Sequence, residues 1–193
     1  MYMKFHEGFC LKTLKGTRLG GTESLLERLS DRMKNRKDLK IMLYVAYGSN
    51  MNLEQMAYRC PDAKVVGTGV IKGYILMFRG NPVSAVATIQ KDRAGAKHIN
   101  NGVPVVVWDI SEADEKALDQ YEGFPRLYKK DSIDVEMSDG SKLKAMVYIM
   151  TEGYGIGIPS GHYFNTILEG YLDNGIDTEY LFKRLEMMTK LMK

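Results

Sequence analysis

The spacing between strand-like segments constrains this chain more than any other feature. Apolar or alternating stretches at residues 41–46, 64–72, 74–78, 85–90, 103–110, 131–137 and 143–150 are joined mostly by short links. Parallel neighbours in a sheet need a crossover of a dozen or more residues, usually a helix, and most of these links are too short for one. The pattern therefore predicts a mixed α+β fold: a small barrel-like mixed sheet with flanking helices. The run Val103-Pro104-Val105-Val106-Val107-Trp108-Asp109-Ile110 is the strongest strand signal. Asp139-Gly140, between the last two strand segments, marks a hairpin turn.

Helices are expected at four places in the main domain, taken as residues 42–193. The apolar run at 41–46 leads into Tyr47-Gly48-Ser49-Asn50, and a helix is expected to begin at Ser49 or Asn50, both good capping residues. It should stop at Cys60-Pro61, because proline disfavours helix in the residue before it. A second helix is expected over 114–121 with Ser111 as its cap, and terminal helices over 160–170 and 178–193. Residues 1–41 read as an N-terminal extension. Within it Leu25, Leu26, Leu29 and Met33 recur at helical spacing, opposite Arg28, Arg32, Lys34, Arg36 and Lys37. Such a basic amphipathic helix either seeks an acidic partner or a membrane surface, or is a solvated face on a helix packed against its own domain.

Composition removes several function classes. A formal net charge of +3 without a long basic block argues against nucleic-acid binding. Cys10 and Cys60 are too few for a disulfide framework and lack metal-site spacing. His6, His98 and His162 are scattered, so no metal centre is expected. No apolar run approaches the ~18 to 20 residues of a membrane span. These features point to a cytoplasmic protein with free thiols and a core of ordinary size.

Three segments could carry chemistry. The Tyr47–Asn50 turn ends a buried strand, and its glycine lets backbone approach a ligand closely. The first amides of a following helix carry partial positive charge suited to a carboxylate or an oxyanion. Glu122 ends the helix before Gly123-Phe124-Pro125-Arg126-Leu127-Tyr128. A carboxylate at a helix C-terminus is disfavoured by the dipole. Burial among Tyr121, Phe124 and Tyr128 would push it further above ~4.3, towards a range useful for proton transfer. Arg126 nearby would act in the opposite sense. The alternative is an exposed loop glutamate. In the third segment, Ser160 caps a helix whose first turn holds Tyr163, while His162 reads as a surface residue because no GxSxG elbow accompanies it.

Taken in order, these motifs resemble the γ-glutamylcyclotransferase family, especially its bacterial members. The likeness runs from Leu43 to about Leu185. It includes Tyr47-Gly48-Ser49-Asn50-Met51, Arg59-Cys60-Pro61-Asp62-Ala63, the strand at 105–110, and above all Leu118-Asp119-Gln120-Tyr121-Glu122-Gly123-Phe124-Pro125-Arg126-Leu127-Tyr128. The resemblance implies a compact β-barrel with no metal, nucleotide or other cofactor. It implies Glu122 as acid–base residue and Tyr44, Val45, Ala46, Tyr47, Gly48, Ser49, Asn50 and Tyr163 as substrate-binding residues. The implied reaction is attack of an L-γ-glutamyl α-amine on its own γ-carbonyl, releasing 5-oxoproline and an amine or amino acid. The small-molecule substrate could be a dipeptide, a γ-glutamylamine, glutathione or a carrier-linked group. A non-catalytic module binding the same ligands is the alternative. Oligomeric state is left open, a homodimer among the options. The first forty residues have no counterpart in the family pattern, and Gly153–Gly157 could form a flap over the site.

Overall fold

The computed structural model describes residues 41–92 and 102–193. Residues 1–40 of the N-terminal extension, with its basic helix, Cys10 and His6, and also His98, lie outside the described residues. Seven strands are found there: β1 (Met42–Ala46), β2 (Lys64–Ile71), β3 (Tyr74–Arg79), β4 (Val86–Lys91), β5 (Val103–Ile110), β6 (Tyr128–Met137) and β7 (Lys142–Met150). Four α-helices accompany them: α1 (Leu53–Arg59), α2 (Glu112–Glu122), α3 (Gly161–Asp173) and α4 (Glu179–Leu191).

Five strands close into a barrel in the order β1-β5-β2-β6-β7, and β3 and β4 form a separate antiparallel pair. The barrel is mixed. Closure comes from a parallel pairing of β1 with β7, where Tyr44 lies opposite Met146 and Val45 opposite Val147. The other barrel pairings are antiparallel. β5 is buried almost throughout because it lies between β1 and β2, which explains its unbroken apolar sequence. β6 instead exposes much of one face and buries the other, as its alternation predicts. The turn between β6 and β7 holds Gly140 at φ 83, and the Asp139 carboxylate accepts from the Ser141 amide and hydroxyl.

Local chemistry sets the helix ends that matter for the site. Ser111 and Asp114 form a reciprocal capping box that starts α2: each side chain accepts from the other's amide, at 3.1 and 3.0 Å. At the other end Gly123 takes a left-handed conformation, φ 63, which costs glycine little and other residues more. The Phe124 amide then reaches back to the Asp119 carbonyl at 2.9 Å, closing the helix directly behind Glu122.

The first helix departs from expectation. Ser49–Met51 forms only a single 3₁₀ turn, and α1 begins at Leu53 under an Asn52 cap, whose Oδ1 accepts from the Gln55 amide at 2.8 Å. Ser49 and Asn50 do not cap because their side chains are bonded elsewhere, to Tyr121 and Glu122. The 3₁₀ turn is instead clamped by α3 and the residue after it: Asn52 Nδ2 donates to Glu169 at 3.2 Å and Asn174 Nδ2 to the Met51 carbonyl at 2.9 Å.

The Gly-rich stretch is likewise not a free flap. The Gly80 amide donates to the Gly155 carbonyl, Gly157 to Phe78, Ile158 to Pro82, and Ala85 to Ile158, at 2.8 to 3.1 Å. These bonds stitch it along the end of β3 and the β3–β4 link, and none of its residues lines the cavity described next.

Candidate active site

A cavity of about 190 Å³ opens where the Tyr47–Asn50 turn, the end of α2, the start of α3 and the β4 backbone converge. Of the residues expected in a site, Tyr44, Tyr47, Gly48, Ser49, Asn50, Glu122 and Tyr163 all line it. Val45 and Ala46 do not: they are buried strand residues, paired with Val107 and Val106 of β5. Six tyrosines and one carboxylate dominate the wall, and Glu122 is the one charged side chain in it.

Asn50 is the hub of the polar network. Its Nδ2 donates to Glu122 Oε1 at 2.9 Å and to the Tyr44 hydroxyl at 2.9 Å. Both hydrogens of that amide are thus used. Its Oδ1 accepts from Arg59 Nη1. The Arg59 Cζ also lies over the Tyr121 ring, 3.5 Å from its centroid, and the Tyr121 hydroxyl meets Ser49 Oγ at 3.2 Å.

The tyrosines are anchored one by one to the scaffold. Tyr47 donates to the Tyr148 carbonyl at 2.6 Å, Tyr148 to Asp119 Oδ1 at 2.6 Å, and Tyr128 to the Ala87 carbonyl. Tyr163 accepts from the Ala87 amide at 3.1 Å. Ala87 therefore presents its carbonyl and its amide to two different rings. Gly48 is needed here for space: a Cβ would lie 3.1 Å from Ala87 Cβ and 3.4 Å from the Tyr163 hydroxyl.

Burial pushes Glu122 up to about 7. The Arg59 charge and the Asn50 hydrogen bond oppose that rise without cancelling it. A carboxyl poised there both accepts and returns a proton near neutrality. Tyr44, Tyr47, Tyr128 and Tyr163 are raised above their ordinary values, first by burial and then by neighbours that include Glu122. They stay neutral and offer hydroxyls.

Two expectations about the surroundings of Glu122 are corrected. The cation beside it is Arg59, not Arg126, which is exposed. The aromatic wall includes Tyr121 and Tyr128 as expected, but Phe124 stands outside it, 39% exposed, with Lys130 4.9 Å from its ring centroid. Tyr44, Tyr47, Tyr148 and Tyr163 complete the wall from β1, the turn, β7 and α3. Arg59 stands within the motif Arg59–Ala63 without a role at the site being legible there, and Tyr148 has no local signal in the sequence. His162 is exposed at the surface, as read. Among the described residues no group of three or more His, Cys, Asp or Glu gathers, and no helix is long and apolar enough to cross a membrane.

Fold and cavity together define a small barrel protein whose cavity holds a single carboxylate, raised towards neutrality by burial. Residues 44–165, more than half the chain, match the family described as gamma-glutamyl cyclotransferase, AIG2-like, and the chain belongs to that family. It is 30% identical to human gamma-glutamylcyclotransferase over 148 residues, covering 74% of this chain and 77% of the relative. The bovine gamma-glutamylcyclotransferase is 29% identical over 147 residues, 75% and 77% of the two chains. A solved structure of a gamma-glutamyl cyclotransferase superposes with a TM-score of 0.66 at 24% identity, covering 79% of this chain and 98% of that one. The last comparison bears on the fold alone.

Proposed function

We propose that this chain is a γ-glutamylcyclotransferase and that Glu122 performs the proton transfers of the reaction. The observation that carries this reading is a single carboxyl, pushed up to about 7, as the one charged side chain in a cavity lined by six tyrosines. The family and its relatives support the reaction type. At about 190 Å³ the cavity is smaller than the ~300 to 1,000 Å³ of drug-sized sites, which suits one glutamyl unit with its leaving group outside.

The substrate's α-amine is mostly protonated at neutral pH, so it must lose a proton before it can attack. Ionised Glu122 accepts that proton. The amine nitrogen then bonds to the γ-carbonyl carbon, and the carbonyl π electrons move onto oxygen. Amides of the Gly48–Asn50 turn are the donors we assign to that oxyanion, each worth roughly 3 kcal/mol in comparable sites. Glu122, now protonated, passes its proton to the leaving nitrogen. The oxyanion collapses and the C–N bond breaks. The ring nitrogen gives its surplus proton to the regenerated Glu122 carboxylate, which passes it to the released amine or to solvent, giving 5-oxoproline and a free amine or amino acid. Holding the folded γ-glutamyl conformer against the tyrosine wall supplies the orientation. A purely binding module has no use for a carboxyl held near neutrality.

The test is 5-oxoproline release from a panel of γ-glutamyl dipeptides, γ-glutamylamines and glutathione. Glu122→Gln should lose turnover while remaining folded; an active variant would sink the mechanism.

A further inference from the structure

Arg59 is absent from the cavity wall, yet two of the wall's residues depend on it. We propose that Arg59 is a positioning residue for the Glu122 reaction, fixing which end of the Asn50 amide faces the carboxyl. The inference rests on the proton-transfer reading given above.

An asparagine amide can turn over at little intrinsic cost, because its two ends have the same shape. Its orientation is decided by partners, and Arg59 is the partner with no ambiguity. A guanidinium has donors and no acceptor, so only Oδ1 can face it. With Oδ1 held, Nδ2 must point to Glu122 Oε1 and to the Tyr44 hydroxyl. Oε1 is then occupied, which leaves Oε2 as the oxygen that exchanges protons with substrate. A reversed amide would set Oδ1 against an ionised carboxylate, two acceptors face to face, and the carboxylate would swing away. The contact with the Tyr121 ring holds the guanidinium in place, and Tyr121 is tied in turn to Ser49.

No other described cation competes for this role. From α2, Asp119 lies one turn before Glu122 and is bonded to Tyr148 and Lys130. Lys130 is held by Glu115 as well. The wall residues facing Glu122 from β1, β6, β7 and α3 are the neutral hydroxyls of Tyr44, Tyr128, Tyr148 and Tyr163. Arg59, from α1, is the cation that acts on Glu122.

Arg59→Met removes the donors and the charge while keeping an unbranched stem over Tyr121, and Arg59→Lys keeps the charge without the planar fork. The Glu122 carboxyl would be titrated by NMR in ¹³C-glutamate-labelled protein, with Glu122→Gln assigning the signal. In parallel, kcat and KM would be measured on a γ-glutamyl dipeptide. For Arg59→Met we expect the titration midpoint to rise by about one pH unit. The same variant should lose ~10- to 100-fold in kcat with little change in KM, the scale of a misplaced reacting group. Arg59→Lys should restore most of the midpoint and little of kcat. A merely structural arginine would lower the melting temperature of Arg59→Met and leave midpoint and kcat at wild-type values, and that result overturns the inference. The two readings fail separately. Activity in Glu122→Gln overturns proton transfer by Glu122, whereas an inactive Glu122→Gln beside an unaltered Arg59→Met overturns only the role of Arg59.

Discussion

Replacing Glu122 by Gln should remove activity and stabilise the protein, with a stability gain that grows with pH. The carboxyl moves from an ordinary 4.5 to about 7 in the folded chain, chiefly through burial. At 1.36 kcal/mol per pH unit this corresponds to about 3 kcal/mol of fold stability lost on ionisation. Below pH 4.5 both folded and unfolded chains carry the proton and the ionisation penalty is absent. Between 4.5 and about 7 the unfolded chain has released the proton and the folded chain has kept it, so stability falls as pH rises. Above 7 both are ionised and the full penalty stands. Glutamine never ionises and escapes this loss. The gap should therefore be small near pH 4.5 and reach an upper value of about 3 kcal/mol by pH 8.5, equivalent to ~6 to 12 °C in melting temperature for a chain of this size. Two effects reduce it. Arg59 loses its nearby anion, and the new amide NH₂ needs an acceptor among the tyrosines. The assay is a pair of thermal melts followed from pH 4.5 to 9. A gap that is constant with pH, or that closes towards alkaline pH, would show that Glu122 titrates as an ordinary surface carboxyl and would remove the basis of its acid–base role.

The pH dependence of kcat/KM should rise on the acid side with a midpoint near 7, the value for Glu122 in the free protein, and a midpoint near 4 to 5 would contradict this. Gly48→Ala forces a methyl to within 3.1 Å of Ala87 Cβ and 3.4 Å of the Tyr163 hydroxyl. Because the wall must move, kcat/KM should fall at least ~10-fold, while the strain costs about 1 kcal/mol in melts. Tyr163→Phe deprives the Ala87 amide of its acceptor, for a loss of ~1 to 3 kcal/mol, measured by denaturant titration; no loss would mean the amide finds another partner.

The strands, the β6–β7 hairpin and the cap of α2 are legible because their signals are local: alternation, Asp139-Gly140, and a capping residue at Ser111. Barrel closure was legible only as a tendency. The parallel β1–β7 contact joins residues about a hundred positions apart, and neither strand's sequence names its partner. The cation at Glu122 was misjudged for the same reason. Arg126 is near in sequence, but Gly123 turns the chain away, and Arg59 arrives from a helix end where a basic residue has an ordinary explanation in the dipole. Ser49 and Asn50 are residue types that favour caps. Residue type alone does not tell whether such a side chain will serve its own backbone or a cavity.

The places where local preference was overruled fall together. Ser49 and Asn50 forgo capping, the α-helix after them starts three or four residues later than its sequence suggests, and Glu122 places an acid at the end of a helix that disfavours it. All of these residues line the same cavity or directly precede the displaced helix. Sequences that fold reliably tend to agree with themselves at every level, and conflicts persist where something other than stability selected them. Here the conflicts produce one chemical result: an acid raised towards neutral pH by burial, with one oxygen tied by Asn50 in a cavity lined by tyrosines. Ala or Leu at position 122 would be better helix formers, and either would remove the one group in the wall that can move a proton at neutral pH.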